Sequence, residues 1–331
     1  AARRSGELNP GAEELLISKA CAAGWGAVDG KLVQQVNGAP VYGTSKPGQL
    51  RSIDEWITED AVTQLGWMWK PSVGSGPAAT GARAPSDARP FSRADHDIFL
   101  VTRLDGFTVE DALALAARGR QSGAGAESAL VAGSVALDLK AAVSDPANEW
   151  LRAAATRLGE LGLGDRVVLE TTSAAVRDRR DLLGYYSWGS NDPSIRARQL
   201  GLQFVPGAIA GQFVSTDART FVEPPADWTP GAWERREGFY AGSPQSLAGD
   251  LVRQGVTGLS AQVAEPFLDA AVRPDILFPA YLSGFTLAEA YYLALPSLSW
   301  QTIVLGDPLA RVAPARAAAS TPAPTAIDPS T

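Results

Sequence analysis

From residue 97 onward, apolar residues alternate between two rhythms, short continuous runs and stripes at helical spacing. The runs at 97–102, 129–139, 166–170, 182–188, 209–214 and 257–263 predict buried strands. Between them lie helical segments. Thr108, with Asp111 three residues on, opens one over 108–118, and Asp145-Pro146 starts another in which Trp150, Leu151, Ala154, Leu158 and Leu161 fall on one stripe. A third spans 246–254 and is stopped by Gly255, the usual left-handed cap, and a fourth spans 287–295. Tyr291 and Tyr292 sit side by side in that fourth helix, where at most one can face a core squarely. Strands alternating with helices at this spacing predict βαβ units, hence an α/β domain with a mainly parallel central sheet and helices on both faces.

The beginning of the chain follows a different pattern. Asn9-Pro10 is a helix start, and Leu15, Leu16, Ile17, Ala20 and Cys21 continue it as an apolar stripe. Between Trp25 and Tyr42 short β-like runs are separated by Asp29-Gly30 and Asn37-Gly38, both strong turn signals. Ser52 and Glu55 form a capping box ahead of a helix to about Leu65, and 71–95 is a long Gly/Pro/Ser/Ala loop. Residues 313–331 are almost entirely Ala, Pro, Ser and Thr, a composition that buries no core and forms an extended tail.

Composition narrows the chemistry. The 331 residues include one Cys, one His and one Met, which leaves no intrachain disulfide, no Cys/His zinc site and no c-type haem attachment. A net charge of -7 opposes a nucleic-acid surface, and no apolar stretch is long enough for a transmembrane segment. The N-terminus shows no signal-peptide core, so any such signal is expected to be absent from this chain.

Open α/β sheets bind ligands at the carboxyl ends of their strands. Near those predicted ends stand Ser187, Asn191, Asp192, Ser215, Asp217, Glu265 and Asp307, a candidate cleft of oxygen donors. Such donors suit a hard cation, Ca or Mg, yet Asp192, Glu265 and Asp307 each precede a proline, the grammar of a turn or helix start. Turn closure is the favoured reading, with no cofactor. A serine hydrolase built on Ser187, Ser190 or Ser215 needs a base, and the lone His96 stands between Asp95 and Asp97 ahead of a predicted strand. Tyr185, Tyr186, Trp188, Tyr291, Tyr292 and Trp300 fit packing between sheet and helices better than a ligand groove.

The strings GYYSWGSNDP at 184–193, PGAIA at 206–210, VSTD at 214–217, GVTG at 255–258 and AEPFLD at 264–269 are distinctive. RPDILF at 273–278, LSG at 282–284, LAEAY at 287–291, SWQ at 299–301 and GDPL at 306–309 follow, and LVTRLDG stands upstream at 100–106. Together they resemble an uncharacterised bacterial family associated with exosortase, the membrane transpeptidase of the PEP-CTERM protein-sorting system. A more distant similarity is to gingipain-type cysteine peptidases. That similarity implies a caspase-like/Rossmann-like fold, with a His-Gly after one strand and a nucleophilic Cys after the next. Here those positions fall near 187–190 and 214–217, and neither His nor Cys stands at either place.

The resemblance covers about residues 52–312, and with the patterns on either side of it the chain divides into three parts. Residues 1–51 form an N-terminal helix and β-hairpin-like extension, 52–312 the α/β domain and 313–331 the tail. The resemblance further implies an extracytoplasmic protein of the periplasm or cell envelope that acts by binding or assembly without catalysis, and the composition of the tail suits a strap on a protein partner. The competing expectation is a hydrolase with carboxylate or metal-assisted chemistry. Convergence of Asp192, Asp217 and Glu265 in an open cleft would favour the enzyme; carboxylates each closing a separate turn would favour the binder.

Overall fold

The computed structural model describes residues 90–92, 99–124, 133–141, 145–235, 238–296 and 301–312, plus the backbone of three short strands upstream. Those three are β1 (Trp25–Val28), β2 (Lys31–Val36) and β3 (Ala39–Pro40), paired antiparallel in that order, while the predicted turn residues Asp29-Gly30 and Asn37-Gly38 lie outside the described residues. The predicted helices near residues 10 and 52, His96, Cys21 and the tail from 313 lie outside the described residues.

The main sheet has six strands: β4 (Ser134–Asp138), β5 (Val167–Glu170), β6 (Leu182–Ser187), β7 (Phe204–Gln212), β8 (Gly258–Gln262) and β9 (Thr302–Gly306). Their spatial order is β5-β4-β6-β7-β8-β9, with every neighbouring pair parallel except β8 and β9. The α/β reading therefore holds, with a mostly parallel sheet.

Alternating residues of these strands feed two cores. On one face Val135, Leu137, Tyr186, Ile209 and Val304 pack against α2 (Pro146–Glu160), α4 (Pro274–Leu282) and α5 (Leu287–Ala294). On the other, Ala136, Tyr185, Ala210, Leu259 and Ile303 pack against α1 (Val109–Ala124) and α3 (Ala248–Gln254). Double coverage explains why these strands read as continuous apolar runs: β6, β8 and β9 are buried along their whole length, and β4 and β7 over most of it.

The helix ends follow the local chemistry. Asp145 caps α2 through a side-chain bond to Ala147 N, and Thr108 and Asp111 exchange bonds at the start of α1. Thr286 and Glu289 form a full capping box on α5 that the apolar run concealed, and Gly255 ends α3 in the left-handed region at φ 114°.

Three expectations change. Residues 99–102 are not a strand: the Val101 N–H and C=O both bond to the Tyr292 hydroxyl, and sheet pairing begins only at Arg103, beside Leu305. Tyr291 and Tyr292 are both buried, because α5 lies between the sheet and the 99–103 segment, and each face of the helix has something to cover. Residues 274–282, whose apolar content lacks a polar face, form the helix α4 that helical periodicity could not reveal; all nine of its residues are buried.

Candidate functional site

Strand β4 leads to β5 on one side while the next strand, β6, lies on the other, so the chain reverses direction across the sheet between β4 and β6. A crevice opens at the carboxyl ends of strands at such a switch point. The residues there are Asp138, the last of β4, and Ser187, the last of β6.

The exit from β6 is held tightly. Ser187 Oγ accepts from Gly189 N at 3.0 Å, and Gly189 turns the chain at φ 50°. Ser190 and Ser246 are paired twice, by Ser190 N to Ser246 Oγ (3.1 Å) and Ser246 N to Ser190 Oγ (2.9 Å). Ser246 Oγ also donates to Gln212 Oε1 at the end of β7. Asn191 donates to Phe213 O and accepts from Gln245 Nε2, while Gln245 Oε1 accepts from Thr216 Oγ1. The turn after β6, the segment after β7 and the approach to α3 are thus joined by buried, mutually satisfied polar groups. Sequence reading missed Gln212, Gln245 and Ser246, although a glutamine ending an apolar strand run was a visible signal.

The seven candidates do not form one constellation. Asp192 Oδ1 accepts from Ser194 N, Glu265 Oε1 from Phe267 N and Asp307 Oδ1 from Leu309 N, each two residues ahead in its own turn. Glu265 is exposed and Ser215 half-buried. Asp307 is a correction: β9 runs antiparallel to β8, which places its end at the opposite edge of the sheet, and Asp307 packs there against Gly119 of α1. Ser187, Ser190, Asn191 and Gln212 do come together, as does Asp217 with Gln262 at the end of β8, where Asp217 Oδ1 accepts from Gln262 N at 2.6 Å. Among the described residues no group of three or more His, Cys, Asp or Glu is placed to hold a metal ion.

The most unusual acid at the switch point was not among the candidates. Asp138 is buried; Oδ2 accepts from Val176 N at 3.0 Å, while Oδ1 has no hydrogen-bond partner among the described residues. Burial, with smaller contributions from Asp192 and Glu170, raises its pKa to about 7, against the opposing pull of the Val176 N–H and Arg177. Tyr185, on the same face of the sheet, has its ionisation pushed up by burial and by the nearby Asp138. An acid closing the apolar run Val135–Ala136–Leu137 was legible as a strand-end residue, but only the strand order puts it at the switch point. Comparison with family models, curated proteins and solved structures finds no match to this chain in any of the three.

Proposed function

We propose that this chain is a non-catalytic binding or assembly protein of the bacterial cell envelope, working outside the cytoplasm with its protein partner seated at the carboxyl ends of β4 and β6. One observation carries the reading. Asp192, Glu265 and Asp307 each close their own turn, and the Ser187 and Ser190 hydroxyls are taken up by backbone N–H groups. A serine nucleophile needs a base to accept its hydroxyl proton, and among the described residues the groups bonded to these two hydroxyls are backbone N–H groups and the Ser246 hydroxyl, none of them a base. The cell-envelope setting rests on the exosortase-associated resemblance, and the role of 313–331 as a strap on its Ala/Pro/Ser/Thr composition.

The second reading, a hydrolase using carboxylate chemistry, draws on Asp138, a buried acid at the switch point that titrates near neutrality. The two separate experimentally. Isolation of the native protein under mild conditions is expected to yield a stoichiometric protein partner, retained in an Asp138→Asn variant that folds. A ligand-free monomer would overturn the binding reading, and hydrolysis of peptide or ester substrates that disappears with Asp138→Asn would establish the enzyme.

A further inference from the structure

Between β7 and α3 the chain makes an excursion, 213–247, whose described residues add no strand to the sheet. Its base is closed at Asp217. The Asp217 backbone C=O accepts from Ala248 N, the first residue of α3, at 2.8 Å, and Ala218 N donates to Gln262 O at 2.8 Å. The side chain adds the bond from Gln262 N to Oδ1. One residue therefore joins the excursion, α3 and the end of β8. Asp217 is completely buried, and its Oδ2 has no hydrogen-bond partner among the described residues. A carboxylate in that position would hold its charge out of water, with one oxygen lacking a well-formed hydrogen bond among the described residues.

The groups around it are few. Its own segment supplies Arg219, whose guanidinium is already spread over three carbonyls, Thr216 O, Tyr240 O and Ser243 O, and lies over the Trp228 ring. From β6 it meets Tyr186, a neutral phenol. Strands β7, β8 and β9 contain no ionisable side chain, and β8 offers only the Gln262 N–H. The two ionisable residues of α3 are engaged elsewhere, Asp250 with Arg198 and Arg253 with Asp111 and Glu223. Burial accordingly outweighs the Gln262 N–H, Arg219 and the smaller pulls of the Asp217 and Ala218 N–H groups, and raises the Asp217 pKa to about 8.

We propose that Asp217 is a protonation latch: as the neutral acid it fastens the base of the 213–247 excursion to β8 and α3, and surrender of its proton to solvent hydroxide releases that excursion. The opening exposes the carboxylate to water, which supplies the partners Oδ2 lacks in the closed form. What moves is a segment that carries the exposed aromatic pair Trp233 and Phe239, so the latch sets the presentation of those rings. The inference is independent of the binding reading and stands whether or not a partner is found.

Hydrogen exchange of the Gln262, Ala218 and Ala248 amides tests it, corrected for base catalysis and followed from about pH 6 to about pH 9.5. Protection is expected to fall by about tenfold or more across the range, and to stay flat in Asp217→Asn, whose side chain remains neutral. Flat protection in the wild type, or the same fall in the variant, would overturn the latch. Aspartate-selective carboxyl NMR of the wild type needs no variant: one carboxyl titrating near pH 8 is expected, and titration of every aspartate below about pH 5 would overturn the proposal.

Discussion

The Trp188 indole N–H donates to Asn148 Oδ1 across 2.8 Å, and the same oxygen accepts from Lys140 N at 3.2 Å. Asn148 Nδ2 returns a bond to Lys140 O at 2.8 Å. A single buried amide in the first turn of α2 thus ties together the exits of β4 and β6, the two strands of the switch point. Asn148→Ala leaves an indole N–H and two peptide groups unpartnered in a buried site. The expected loss is about 2–4 kcal/mol of unfolding free energy in urea titration. A loss below about 0.5 kcal/mol would mean that water satisfies these groups.

Tyr292 has a narrower task. Its hydroxyl accepts from Val101 N at 3.0 Å and donates to Val101 O at 2.9 Å, doing for one residue what a neighbouring strand would do for several. Tyr291, one residue earlier, donates instead to Ala210 O of β7. Tyr292→Phe is expected to cost about 1–2 kcal/mol and to raise amide exchange at 101–103 while leaving β7 protected. Tyr291→Phe should show the reverse pattern. Identical exchange maps for the two variants would contradict this division.

These tyrosines also show where sequence reading stops. Apolar runs located β4 to β8 because buried parallel strands have no polar face, and Asp145-Pro146 and Thr108/Asp111 marked helix starts through local bonds. The run at 97–102 looked the same, yet its backbone partner is a side chain 191 residues away. Strand direction was equally hidden. Asp307 seemed to join the other acids until the antiparallel course of β9 set it at the far edge. Asp138 and Ser187 became neighbours only through the order β5-β4-β6, a relation between elements that spacing along the chain does not encode.

The burial of Asp138 and Asp250 has a consequence for stability against pH. Burial raises their pKa values to about 7 and about 6, from 3.8. Between pH 3.8 and those values the folded chain holds protons that the unfolded chain has lost, so stability falls as pH rises. The contribution is fully present below pH 3.8 and is lost as pH climbs through about 7 for Asp138. Asp138→Asn cannot ionise, and its amide oxygen can still accept from Val176 N. Urea midpoints measured at about pH 4.5, 6 and 7.5 should therefore decline less steeply in the variant than in the wild type. Parallel declines would show that Asp138 is not the proton carrier.

Gly189 offers a test of the polar network itself. At φ 50° it occupies the left-handed region, and a Cβ there would collide with Gln212 Oε1 and Val214 Cγ2 and come within 2.9 Å of Ser246 Oγ. Two penalties overlap in Gly189→Ala: about 1–2 kcal/mol for the backbone conformation, and the displacement of groups that hold β7 to α3. Gly189→Asn separates them, because asparagine tolerates the left-handed region while its Cβ meets the same atoms. If the collision dominates, both variants lose about 3 kcal/mol or more. Gln212→Ala in the Gly189→Ala background removes one of the colliding atoms, so the double variant should lose less than the sum of the two single changes. Additive losses would show that Gln212 does not carry the collision, leaving the Val214 contact and the left-handed backbone of Gly189 to account for the cost of the extra methyl.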